Sequence, residues 1–289
     1  MLFRSVYLSA VAQRSKRLRF GPMVFCLPLY HPLRIAEEIC MLDQMSGGRF
    51  DLGVGRGISP LESRSYGESP EKEVTQEVYV ESLAILKKAM EGGKFSHAGK
   101  HRSVEDVEMT IGPAQKPHPP LWMGVQTVAN AEFAARNGMS MLSLLSAPQL
   151  RDKVERHREV WRATHGASTA PGKQGVGLFI VVAETEGKAK EIANRAYRKW
   201  HESFHYLYHL HGRKPMWGDR PPEFSIVEDE VRGVAGTPDT VLTFVKQRVA
   251  ECGANYVTGQ FAFGDMTRAE ALRSVELFGR DVLPALKAM

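Results

Sequence analysis

The chain has 289 residues, 38 Lys+Arg against 33 Asp+Glu, 43% apolar residues and 26 glycines. That length suits one large α/β barrel as well as two smaller domains, and the ordinary balance of charge and apolar residues excludes disorder, collagen and coiled coil. The surplus of +5 is spread along the chain rather than gathered into a basic stripe, so it does not point to nucleic acid, and no apolar run is long enough to span a membrane.

No acidic residue precedes Glu37, whereas Arg4, Arg14, Lys16, Arg17, Arg19 and Arg34 do. Such a start fits a transit peptide or the outer face of a helix carrying Leu2, Val6, Leu8 and Val11; its unbroken run into a patterned segment favours the helix. Residues 20–27 read as a buried strand. His31-Pro32 opens a helix with apolar positions at Leu33, Ile35, Ala36, Ile39, Cys40 and Leu42, which Ser46-Gly47-Gly48 ends before a strand at 49–54. Ser69 is expected to cap a long helix, with Pro70 at its first position and Glu71 and Glu73 in its first turn.

Residues 91–118 break the rhythm and read as a hairpin and loop. Strand 121–124, helix 128–137, strand 139–145 and helix 148–165 follow. Strand 176–182 leads to helix 186–208, then an irregular stretch around Pro215–Pro222. Thr237-Pro238 opens helix 238–252, and strand 255–261 and helix 267–287 complete the chain. Six strands alternating with helices imply parallel pairing through right-handed crossovers, as in a barrel or a doubly wound sheet. One domain over 1–289 is expected, with insertions at 91–118 and 205–236. Three cysteines without a C-x-x-C are too few for a disulfide framework and fit a reducing cytoplasm.

Four motifs carry chemistry. Gly53-Val54-Gly55-Arg56-Gly57 ends a strand but lacks the third glycine and the following helix of a dinucleotide fingerprint; Arg56 suits a dianionic phosphate, and a tight turn with a solvated Arg is the plain alternative. Gly124 to Asn130 passes from strand to helix, where amides with Thr127 and Asn130 offer either an anion seat or an ordinary N-cap. His201-Glu202-Ser203-Phe204-His205 is a literal H-E-x-x-H, the spacing of a zinc peptidase, although Tyr206 to His209 lack the third-ligand spacing. His31 suits proton transfer or a turn-fixing hydrogen bond.

The run from Leu27-Pro28 and His31 to Glu38, the block Leu42 to Gly57, Pro119 to Gly124, Ala134 to Gly138, Gly236 to Asp239 and Gly259 to Asp265 resembles the bacterial luciferase-like, flavin-dependent monooxygenases. The resemblance implies a TIM-type barrel with its site at the carboxyl ends of the strands. It implies FMN, in preference to the deazaflavin F420 because of Arg56, with the phosphate on Arg56, the Ile58 amide, Gln126, Thr127 and Asn130. It also places a non-prolyl cis bond at Met23–Val24 beneath the flavin ring, leaves His31 as the catalytic candidate, and assigns no metal. The expected reaction oxidises a small organic substrate with O2 and reduced FMN from a separate reductase. A homodimer or a partner chain is expected, because only about six of the barrel's eight strands are recognisable. The other readings are a flavin-binding or dimer-forming chain without turnover and, remotely, the zinc peptidase.

Overall fold

The computed structural model describes residues 4–215 and 220–289, and its contacts divide the chain into two compact units, one made of 1–124 with 137–140 and the other of 125–136 with 141–289. Leu2, and part of the irregular stretch at 215–222, lie outside the described residues.

In the first unit α1 (Arg4–Arg14) leads to β1 (Phe25–Cys26), α2 (Pro32–Ser46), β2 (Leu52–Gly55), α3 (Pro60–Ser65) and α4 (Lys72–Glu91). The hairpin β3 (Lys94–Ala98) and β4 (Ser103–Glu108) and then β5 (Leu121–Gly124) complete it. β2 runs parallel between β1 and β5, with Val54 opposite Phe25 on one side and Met123 on the other. Ile35, Ile39 and Leu42 of α2 and Ile85, Leu86 and Met90 of α4 supply the buried faces that the helical periodicity announced.

Three details depart from the sequence reading. The first strand is far shorter than 20–27: only Phe20 bridges Phe50 ahead of Phe25–Cys26, and a 3-10 turn at Leu27–Leu29 ends the run. Helix α4 begins two residues late, at Lys72, because the Ser69 hydroxyl accepts a local bond from the Glu71 amide instead of capping the helix. Helix α3 was not anticipated, yet Ser59-Pro60-Leu61-Glu62 spells it, the Ser59 side chain accepting from the Glu62 amide.

Arg49, straight after the Gly47-Gly48 stop, binds helix ends rather than a carboxylate. Its guanidinium donates to the carbonyls of Ser46 (2.7 Å), Leu18 (2.9 Å) and Ala12 (3.0 Å) and to the Ser15 hydroxyl (2.9 Å). One cation thus satisfies the orphan carbonyls at the ends of both α1 and α2. Beside it Arg19 pairs with Asp51, and the buried Asp43 accepts from the Gln115 amide and side chain.

The second unit holds α5 (Val128–Arg136), β6 (Ser140–Ser143, whose first residue belongs to the other unit), α6 (Ala147–His165), β7 (Gln174–Val182) and α7 (Glu186–Leu210). It continues with α8 (Ser225–Asp229), β8 (Gly233–Gly236), α9 (Pro238–Cys252), β9 (Tyr256–Gln260), α10 (Arg268–Leu277) and α11 (Leu283–Lys287), a π turn at Phe278–Val282 joining the last two. All nine residues of β7 are buried, and its length lets it pair with three parallel strands. Lys173, Phe179 and Ala183 direct their backbone groups to β6 and β8, whereas Gln174 accepts from Asn255 at the opposite edge, where β9 lies. The strand β8 was missed in the sequence because Gly-Val-Ala-Gly is too short and too small to declare itself.

Helix α7 packs Ala189, Ala193 and Ala196 against Phe179, Val181 and Ala235, the small side chains allowing close approach. Its first residue, Glu186, accepts from the Thr237 amide and from the hydroxyls of Thr237 and Thr240, so a carboxylate sits at the α9 N-terminus and its pKa falls. Thr237 therefore spends its hydroxyl on Glu186 and does not cap α9. Among the described residues no helix is long and apolar enough to cross a membrane.

Two expectations follow. Arg49→Ala leaves the carbonyls of Ala12, Leu18 and Ser46 without this donor and should cost about 3 kcal/mol, lowering the melting temperature by roughly 6–12 °C in a chain of this size. Thermal denaturation checks this; no loss would remove the role given to Arg49. Glu270 is held at about 2, below its ordinary 4.5, first by the Arg195 guanidinium at 2.7 Å. A carboxylate with a depressed folded pKa contributes its stability above pH 4.5 and loses it as pH falls towards 2. Acid titration of Glu270→Gln should accordingly show a shallower loss of stability across that window than the parent protein.

Candidate flavin site

In the first unit the strand β2 places two glycines, Gly53 and Gly55, against the chain that precedes β1. A Cβ on Gly53 would strike the Pro22 carbonyl oxygen and lie 3.1 Å from the Met23 Sδ, and one on Gly55 would meet Val24 Cγ2 at 2.7 Å. The Pro22 main chain therefore lies directly on Gly53, leaving no room for a side chain there, while Gly55 makes room for the Val24 side chain. The Met23–Val24 bond is cis, Met23 is 42% exposed, and Gly57 turns with φ +82° next to the Cys26 Sγ. These glycines serve a strand-on-strand contact and a left-handed turn rather than a Rossmann loop.

Arg56 follows that strand. It is half-buried and, among the described residues, is the one partly buried or buried arginine with neither an ion pair nor a hydrogen bond of its own, whereas Arg49, Arg102, Arg156, Arg158, Arg220, Arg232 and Arg248 are all engaged. A guanidinium partly withdrawn from water without a carboxylate is suited to a dianionic ligand. Ile58 is exposed. His31 is exposed too; it opens α2 with its backbone and makes no side-chain cap. Met23, Val24, His31, Arg56 and Ile58 all belong to the first unit. A groove of about 600 Å³ in this unit, between Leu33, Glu37, Glu38, Met41, Glu108 and Met109, holds none of them.

Gln126, Thr127 and Asn130 belong to the second unit, at the mouth of α5. The Thr127 hydroxyl accepts from the Asn130 amide at 3.2 Å, which is the ordinary N-cap alternative. The cap uses one lone pair of Thr127 and one amide of the first turn; the amides of Val128 and Ala129 precede the first intrahelical bond and still face outward along the axis.

The H-E-x-x-H of α7 is arranged otherwise than in a zinc peptidase. His201 Nε2 bonds the Arg220 carbonyl at 2.7 Å, the His201 and His205 rings meet edge to face at 4.0 Å, and Glu202 pairs with Lys199 on the exposed side of the helix. Among the described residues no three His, Cys, Asp or Glu side chains form a group that could hold a metal ion. The stripe belongs to an aromatic ladder in which Trp200 stacks between Tyr197 and Phe204.

The contact around Gly53 is directly testable. Gly53→Ala pushes a methyl group into main chain, which cannot swing aside, so a loss of about 1–3 kcal/mol is expected; Gly55→Ala meets a side chain and should cost less. Denaturant midpoints reversing that order would contradict the close approach.

The family model for luciferase-like monooxygenases matches residues 4–255. An uncharacterized protein, y4wF of Sinorhizobium fredii, is 36% identical over 262 residues, covering 91% of this chain and 76% of its own. Among solved structures, the oxygenating constituent of 3,6-diketocamphane monooxygenase from Pseudomonas putida, in complex with FMN, superposes with a TM-score of 0.79 at 21% identity, covering 97% of this chain and 83% of that one. The coenzyme F420-dependent tetrahydromethanopterin reductase of Methanopyrus kandleri superposes with a TM-score of 0.73 at 18% identity, covering 98% and 87%. These neighbours establish an α/β fold of the TIM-barrel type, to which the described residues contribute six strands besides β8 and the hairpin. The chain belongs to the luciferase-like monooxygenase family, a family of oxidoreductases.

Proposed function

We propose that the protein oxidises a small organic molecule, an aldehyde, a terpene or a similar compound, using O2 and reduced FMN delivered by a separate flavin reductase. The observation that carries this reading is Arg56, a half-buried cation without a protein partner among the described residues, at the end of the glycine strand. Arg56 and the Ile58 amide bind the flavin phosphate, and Met23–Val24 supports the ring. Gln126, Thr127 and Asn130 keep the role of further phosphate donors that the resemblance gives them, with Thr127→Ala as their own test. Bound FMN supplies the electrons that activate O2; the chain's part is to orient the ring, exclude water and present the substrate. Association with a second copy or a partner chain, and a cytoplasmic location in keeping with the free thiols of Cys26, Cys40 and Cys252, complete the reading.

A second reading, flavin binding without turnover, is favoured by one observation: His31, the proton-transfer candidate, is exposed and not fixed by a side-chain cap. Supplying FMNH2, O2 and a panel of aldehydes and terpenes separates the two, since flavin retention without an oxygenated product selects the second.

Arg56→Ala is expected to weaken FMN binding by about 1.5–3 kcal/mol, as for loss of a hydrogen bond to a charged group. Fluorescence titration measures it. Unchanged affinity ends the phosphate assignment, and tighter binding of F420 than of FMN ends the choice of cofactor.

A further inference from the structure

The segment 57–71 leaves β2 straight after Arg56, forms α3, and returns to the chain at the start of α4. Its one ion pair among the described residues is made by Glu68, whose carboxylate accepts from Arg102 Nη2 at 2.8 Å. The same Nη2 donates to the Pro28 carbonyl at 3.1 Å, in the Leu27–Leu29 turn that precedes His31. Arg102 therefore joins the far end of the segment to the turn after β1.

The base of this connection is fixed from α4. The Glu81 carboxylate accepts the backbone amides of Lys100 (3.0 Å), His101 (2.9 Å) and Arg102 (2.8 Å), and Glu77 holds Lys100 Nζ at 2.8 Å and His101 Nε2 at 2.6 Å. The hairpin turn is thus clamped to a long helix, and Arg102 reaches out from a fixed point. Both members of the Arg102–Glu68 pair are about three-quarters shielded from solvent, at 24% and 26% exposure, so the pair is weakened less by water than the surface pairs elsewhere.

We propose that Arg102 is a positioning residue, a latch that holds the segment 57–71 against the Leu27–Leu29 turn and thereby keeps Arg56 and Ile58 in place for the flavin phosphate. The latch stands on the contacts above; its consequence for flavin rests on the reading of the preceding subsection. Arg102 touches no part of the phosphate seat itself. It acts through Glu68, and it limits how far the segment opens.

Native trypsin digestion reads the latch directly, because Arg64 lies exposed and unpaired within the segment, at the end of α3. Cleavage there requires local opening. Arg102→Ala and Glu68→Ala should each speed cleavage after Arg64 by about tenfold, the loss of one charge-assisted bond. Both should weaken FMN binding several-fold with little change in melting temperature, and Arg102→Lys should restore part of both effects. Unchanged cleavage in Glu68→Ala, the milder change should Arg102→Ala fail to fold, overturns the latch. Faster cleavage with FMN affinity unchanged overturns its positioning role. A parent protein that binds no FMN instead overturns the flavin reading, while the rate of cleavage still decides the latch.

Discussion

The backbone of residues 22–24 lies against the backbone of β2, and much of the first unit depends on that contact. Glycine at 53 admits the Pro22 main chain, and glycine at 55 leaves room for the Val24 side chain. The contact fixes where β1 can run, and β1 sets the Leu27–Leu29 turn and the entry to α2. From its other end β2 delivers Arg56 to the surface beside Gly57.

The large pattern was legible because it is written in repeated signals. Alternating apolar runs and amphipathic stretches located the six principal strands and most of their helices, and the helices expected at 186–208 and 238–252 begin at Glu186 and Pro238 as read. Local chemistry was less legible. Ser69 could cap a helix or bond its own neighbourhood, and the residue type alone does not decide between these. Gly233–Gly236 carries no periodicity because it is buried on every side and too short to alternate.

The candidate site was legible in its residue types and not in its engagements. The sequence leaves His201, Glu202 and His205 as a remote alternative to Arg56, because spacing alone does not reveal that His201 bonds a carbonyl nineteen positions away or that Glu202 faces Lys199. Thr127 and Asn130 show the same limit: the cap between them fits both an ordinary helix start and an anion seat. Arg102 was passed over entirely. Its significance comes from Glu68 and Pro28, each distant in sequence, and nothing in the local text around Gly99 to Ser103 marks it.

Strand β2 also separates two uses of arginine. At its start, Arg19 and Arg49 are saturated: one joins Asp51 and Gln115, the other satisfies the ends of two helices. At its finish Arg56 has no counterion among the described residues. A folding requirement alone would favour the first arrangement at both ends, because a partly buried cation without a partner loses hydration and gains nothing from the protein in return. The asymmetry follows the division seen in α/β barrels, where the amino ends of the strands serve stability and the carboxyl ends bind ligands. The charge that the fold declines to neutralise is the one that an anionic ligand can neutralise, and for that reason the functional reading rests on Arg56 more than on any histidine in the chain.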